Sequence, residues 1–236
     1  MFFQLFLIIR SENFRIVSIL FCQKSPIAHS RIEIFCRRHF FATDPGSFTK
    51  FYKFHRIRPR KLFRSRVNLI KFIMNTKTIG IIGAMEEEVE ALRAKLTSAE
   101  KLTKASMDFY SGVLNGHKVV IVRSGIGKVN AGICTQILAD LFHVDAVINT
   151  GIAGSLKAEI NIGDIVISTD AVQHDMDATG FGYKPGVIPR METSCFQADP
   201  TLVRAAKAAC EKAVPEIQVF TGRIVSGDQF ISDRAV

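Results

Sequence analysis

Three acidic residues in a row, Glu86-Glu87-Glu88, follow directly on the stretch Gly83-Ala84-Met85. A carboxylate can take a proton from water or orient it, so this run is the first candidate for general acid–base chemistry. Its place in the chain suits an anion. Where a helix opens after Gly83, the unpaired N–H groups of the first turn stabilise the charged form and are expected to keep Glu88 ionised. For Glu86 and Glu87 the plainer role of complementing the helix dipole is sufficient. A second stretch, Ser124-Gly125-Ile126-Gly127-Lys128, reads either as an anion nest or as a turn into a helix. Lys128 is not a P-loop lysine, because the Gly-x-x-x-x-Gly-Lys-Ser/Thr spacing is missing. His174, Asp175 and Asp177 bring imidazole and carboxylate together at short spacing, but no fourth ligand is evident and no metal is expected.

Strands and helices must position these side chains. Thr78 to Gly83 is an apolar, β-branched run ending in glycine, and Glu86 to Leu96 then places Val89, Leu92 and Leu96 on one helical face. Phe109–Leu114 and His117–Val122 flank Asn115-Gly116, a strong hairpin signal. Beyond Lys128, the spacing of Ile133, Ile137, Leu138 and Leu141 predicts a helix. Asp145–Asn149 and Asp164–Ser168 read as buried strands, Asp199-Pro200 opens a helix to about Ala213, and Gln218–Ser226 reads as a further strand. Strands alternating with helices, plus one hairpin, predict an α/β fold: a three-layer αβα arrangement with a mixed, largely parallel central sheet. Gly83, Gly125, Gly151 and Gly227 fall at strand ends, where such sheets gather their ligands.

Charge divides the chain in two. Of the net charge of +9, residues 1–73 contribute +12 and residues 74–236 contribute −3. The first segment also holds 13 of the 19 Phe and only one glycine, Gly46, so it is a different kind of sequence. Its apolar runs, Phe2–Ile9 and Ile16–Cys22, are too short to span a bilayer, and no membrane partner is expected. No recognised motif supports nucleic-acid binding by the basic stretch. An Arg-rich, acid-poor leader could be a transit peptide, but the favoured reading is that Met74 is the functional start and residues 1–73 stand outside the fold. Five cysteines without a C-x-x-C pair exclude a disulfide framework and a zinc ribbon, and fit a reducing cytoplasm.

Six stretches carry a resemblance in register. Ile79–Glu88, Ser124–Ala131 and Ile148–Gly154 are followed by Gly163–Val166, His174–Asp177 and Val225–Ile231. Together, residues 74–236 resemble the 5′-methylthioadenosine/S-adenosylhomocysteine nucleosidases of the purine nucleoside phosphorylase superfamily. That resemblance implies an N-glycosyl hydrolase that releases adenine from thio-substituted nucleosides, without cofactor or metal, acting as a homodimer. It implies that Glu88 activates water and that Ile126 lies near the reacting sugar. Ile152, Ala153 and Gly154 would line the purine and ribose pocket, Phe230 would stack on adenine, and the backbone of Ile231 would read its edge. Phe181 and Pro189 resemble residues around the 5′-thio substituent, Pro189 reaching it from a neighbouring subunit.

The superfamily also contains phosphorylases, which need cations to hold phosphate. Their relatives place an arginine where this chain has Asn149, and the turn before Glu88 is acidic, so water is the expected nucleophile. The family domain continues past the position matched by Val236, carrying a Met-Glu pair that grips the ribose and the aspartate that protonates the purine. Residues 74–236 are therefore expected to be a nucleosidase domain lacking its C-terminal third. Asp228 matches an earlier family position and is not that aspartate. The alternatives are a phosphorylase of the same fold and a catalytically impaired nucleoside-binding fragment.

Overall fold

In the computed structural model, residues 15–22 and 77–231 are described. Among them, nine strands and three α-helices follow in the order β1 (Arg15–Cys22), β2 (Ile79–Gly83), α1 (Glu86–Arg93), β3 (Thr97–Lys104), β4 (Met107–Leu114), β5 (His117–Arg123), α2 (Lys128–Asp140), β6 (Ala146–Ala153), β7 (Ile165–Gln173), β8 (Cys195–Gln197), α3 (Pro200–Ala213) and β9 (Val219–Ser226). All nine strands join one mixed sheet in the order β3-β4-β5-β2-β6-β1-β7-β8, with β9 also on β7. Pairing is parallel through β5-β2-β6-β1 and between β7 and β9, and antiparallel elsewhere. Parallel strands covered on both faces need apolar side chains on both, which is why β2, β5 and β6 read as near-continuous hydrophobic runs.

Helices cover both faces, as expected. Val89 and Leu92 of α1 pack on Ile81, Val119 and Ile121, while Cys210 and Val203 of α3 pack around Val17, Ile148, Ile165 and Ile167. Ile79 touches both clusters, so α1 and α3 share one face. On the other, Ala131, Cys134 and Leu138 of α2 meet Ile82, Val120, Val122 and Val147. Gly80 lets α2 come close, since a Cβ there would stand 3.0 Å from a Leu138 methyl. Asn115 and Gly116 both have positive φ, 48° and 83°, as the two-residue turn between β4 and β5 requires. The start of α3 also follows the sequence signal, with Asp199 capping Thr201 and Leu202 and Pro200 in the first turn.

The structure departs from expectation in three places. Strand β3 is not anticipated, because Thr97–Lys104 is polar and every residue in it is exposed; backbone pairing with β4, joined by Thr103 and Lys101 on Asp108, defines it. In α2 the buried face is Ala131, Cys134, Thr135 and Leu138, with Ile137 packed beside it, so of the four residues read from the spacing Leu138 and Ile137 face the sheet while Ile133 and Leu141 are exposed.

The third departure concerns the leader. Residues 1–73 were expected to lie outside the fold, but Arg15–Cys22 forms β1 in the middle of the sheet, parallel to β6 and antiparallel to β7. Its reason is compositional: Ile16-Val17-Ser18-Ile19-Leu20 is a strand suited to burial on both faces, and Val17, Ile19 and Leu20 are at most 1% exposed. Ser18 donates its N–H to the Ser168 hydroxyl at 2.8 Å, and the carbonyl of Ile16 accepts the N–H of Asp199 at the start of α3. In the sheet order β1 is what connects β6 to β7. The remainder of residues 1–73, with its proposed start at Met74, lies outside the described residues.

Candidate active site

Glu88 is the third residue of α1, and its side chain turns back under the helix start rather than outward. Oε2 accepts the backbone N–H groups of Met85, the residue that caps the helix, at 3.0 Å and of Ala84 just before it at 2.7 Å. Oε1 accepts the N–H of Ile152, at the end of β6, at 3.1 Å. The carboxylate is 4% exposed and spans the carboxyl ends of β2 and β6. Two glycines make the space: a Cβ on Gly151 would lie 2.7 Å from Oε1, and one on Gly83 would lie 2.8 Å from the Glu88 Cβ.

Burial reverses the expected electrostatics. Loss of water raises the Glu88 pKa more than the N–H groups of Met85, Ile152 and Ala84 lower it, and the Glu87 charge raises it further. The N–H groups at the helix start do favour the anion, as expected, but desolvation outweighs them and the pKa lies above the usual glutamate value. A carboxylate whose proton affinity has been raised is a better base once ionised, which suits proton transfer with water. Glu86, in the same first turn, faces outward and pairs with Arg93 and Arg123.

A second group of side chains surrounds the start of α2. Asp228 Oδ1 accepts the Lys128 backbone N–H at 2.7 Å, Asp175 Oδ2 accepts the Asp228 N–H at 2.7 Å, and Lys128 Nζ reaches Asp175 Oδ1 at 2.5 Å and Gln173 Oε1 at 3.3 Å. Although burial works against it, the Asp175 carboxyl sits below the usual range, because Lys128 and the Asp228 N–H favour its charged form. The His174 ring packs on Gly227, and Asp177 caps the turn at Thr179, so the three residues at metal-like spacing have separate structural duties. The sequence singled out Lys128, Asp175 and Asp228 one at a time but carried no signal that they meet. Ser124 ties the end of β5 to the end of β2, donating its N–H to the carbonyl of Gly83 at 2.9 Å, while its hydroxyl lies 2.8 Å from the carbonyl of Gly125 and 3.3 Å from that of Gly83.

The other candidate residues are only partly gathered. Ile152 is buried beside Glu88, and Ala153 and Gly154 line a cavity of about 290 Å³ whose wall includes Phe220 and Ile224 of β9. That volume is close to the lower end of small-molecule sites, roughly 300 Å³. Ile126 lies on the turn before α2, 45% exposed between Gly125 and Gly127, both at positive φ. Phe230 and Ile231 follow β9, Phe230 half-exposed, while Phe181 stands 87% exposed on a 3-10 turn and Pro189 is half-buried on the loop beyond it. None of these five lines the cavity. Asn149 faces α2, lining a separate cavity of about 50 Å³ with Thr135 and Ser168.

An α/β sheet with a buried carboxylate at its strand ends narrows the class, and comparison with known proteins identifies it. The family model described as "Phosphorylase superfamily" matches residues 78–236. A 5′-methylthioadenosine/S-adenosylhomocysteine nucleosidase of Anoxybacillus flavithermus is 49% identical over 157 residues, 66% of this chain and 67% of that protein. A crystal structure of such a nucleosidase from Colwellia psychrerythraea, in complex with adenine, superposes with a TM-score of 0.64 at 45% identity, covering 67% of this chain and 65% of that one. The enzyme from Neisseria meningitidis, in complex with methylthio-immucillin-A, gives 0.63 at 41% identity, over 66% of each chain. The chain thus spans about two thirds of the length of the relatives it matches. It belongs to the phosphorylase superfamily and, within it, to the family of 5′-methylthioadenosine/S-adenosylhomocysteine nucleosidases.

Proposed function

We propose that the protein hydrolyses the N-glycosidic bond of 5′-methylthioadenosine and S-adenosylhomocysteine, releasing adenine and the thioribose product. The observation that carries this reading is the Glu88 carboxylate, buried at the ends of β2 and β6 on three backbone N–H groups. In the reaction, water attacks C1′ of an oxocarbenium-like sugar as the bond to the purine breaks, and Glu88 takes the proton that water gives up. The electrons of the broken bond leave with adenine, which needs a proton of its own. By resemblance an aspartate beyond the position of Val236 supplies it. Asp228 is not offered for that step, because one carboxylate oxygen already holds the start of α2.

Water is favoured over phosphate on two grounds. The N–H groups of Ala84, Met85 and Ile152 are donors that an anion at these strand ends would use, and Glu88 takes all three. Asn149, at the position of the phosphorylase arginine, is neutral and buried under α2. Ile126, Ile152, Ala153 and Gly154 are assigned to the ribose and purine, with Phe230 stacking and Ile231 reading the adenine edge. Phe181 and Pro189 are assigned to the 5′-thio group, with Pro189 contributed across a homodimer. Exposed Val129, Ile133 and Phe181 supply apolar surface that a second copy would cover. The cytoplasm is the expected compartment. The deciding assay is adenine release from methylthioadenosine with and without phosphate: release in both supports hydrolysis, and a strict phosphate requirement with 5-methylthioribose-1-phosphate as product overturns it.

A further inference from the structure

We propose that Lys128, through Asp175 and Asp228, is a positioning residue that locks the Ile126 turn and the Phe230 segment into one pocket wall. The inference rests on the reading above that Ile126 and Phe230 face the nucleoside. Three contacts close a ring among three separate pieces of chain. The main chain of Lys128 binds the Asp228 side chain, the main chain of Asp228 binds the Asp175 side chain, and the Lys128 ammonium binds that same Asp175 carboxylate. Removing any one leaves the other two joining the pieces only as an open path, so the ring holds geometry that single contacts would not. Its members come from the start of α2 and from just beyond β7 and β9.

Each end of the ring lies two residues from a proposed substrate contact. Ile126 precedes Lys128 across Gly127, whose φ of 101° gives the turn a shape that L side chains rarely adopt. Phe230 follows Asp228, and Gly227 before it packs so tightly on Asp175 that a Cβ would stand 2.8 Å from Asp175 Cγ. The His174 N–H also donates to the Ser226 carbonyl at 2.9 Å, adding a main-chain tie at the same junction. Burial strengthens the pair: the Asp175 side chain is 8% exposed and that of Lys128 20%, so the attraction is screened less than in a surface pair. Asp228, at 49% and with Nζ 4.0 Å from its Oδ2, contributes mainly through its hydrogen bonds.

A positioning role predicts a change in binding rather than in bond cleavage. In the full-length protein, Lys128→Met keeps the stem and the main-chain N–H but loses the ammonium. We expect KM for methylthioadenosine to rise about tenfold with kcat within about threefold, and Lys128→Arg to restore most of the loss. Hydrogen exchange in the unliganded protein reads the ring without reference to activity. Lys128→Met should speed exchange in peptides covering 125–131 and 226–231 together, by about tenfold, while the α1 peptide is unchanged. Unchanged exchange at 226–231, or a fall in kcat with KM untouched, overturns the proposal. Absence of adenine release by the unaltered protein would instead overturn the proposed function, and the exchange result would still decide whether the ring holds.

Discussion

Glu88 and Ile152 stand 64 residues apart in the chain and meet through a 3.1 Å hydrogen bond from the Ile152 backbone N–H to Glu88 Oε1. That contact ties the first turn of α1 to the end of β6 and fixes the carboxylate oxygen that the helix start does not hold. With Ala84 and Met85 holding the other oxygen, the carboxylate has a single orientation. An acid–base group needs that fixed geometry as much as it needs a suitable pKa.

Replacing Glu88 by Gln should therefore lower turnover by roughly 10²- to 10⁴-fold, the usual cost of losing a positioned base. Substrate affinity should change far less, because the amide keeps nearly the same shape. Steady-state kinetics of adenine release measure both. Near-normal turnover would reduce Glu88 to a helix-capping charge.

The same group sets a pH dependence. Burial raises its pKa, and water activation needs it ionised, so kcat/KM should rise with pH through a limb lying above the ordinary glutamate value of about 4.3. Glu88→Gln should remove the limb. A profile that is already flat at the ordinary value would show that burial does not govern this carboxylate.

Two glycine substitutions should act in opposite directions. Gly151→Ala drives a methyl to 2.7 Å from Glu88 Oε1, and a displacement of about 1 Å can cost about 10²-fold in rate. Gly132, inside α2, has nothing within 4 Å of a new Cβ, so Gly132→Ala should stabilise the protein by about 0.4–1 kcal/mol. Thermal melts and adenine release, measured on both variants, separate the two effects.

The place of β1 is open to a direct test. Ile19 is fully buried between β6 and β7, so Ile19→Asp would bury an unpaired charge and cost several kcal/mol, out of a typical total of about 5–15. Leu156→Asp, at a position 76% exposed, is the control and should melt like the unaltered protein. If circular dichroism melting shows Ile19→Asp equally stable, Arg15–Cys22 does not hold the sheet together.

Local signals were legible because they act over a few residues. Asn115-Gly116 specifies its turn through positive φ, Asp199-Pro200 opens α3 through a cap and a preset backbone angle, and the glycine before Glu86 marks where β2 stops. The order of the six motifs was enough to place residues 78–236 in their superfamily. What the tertiary structure decided was everything that depends on which surface faces which. Polar β3 pairs along the edge that β4 offers it, and α2 comes down on the sheet through Ala131, Cys134, Thr135 and Leu138, with Gly80 leaving room for Leu138, rather than through Ile133. Lys128, Asp175 and Asp228 form a ring only once three chain ends converge. Glu88 was visible as an acid at a helix start, but the sign of its pKa shift was not, since local N–H donors lower it while desolvation, a property of the whole fold, raises it more.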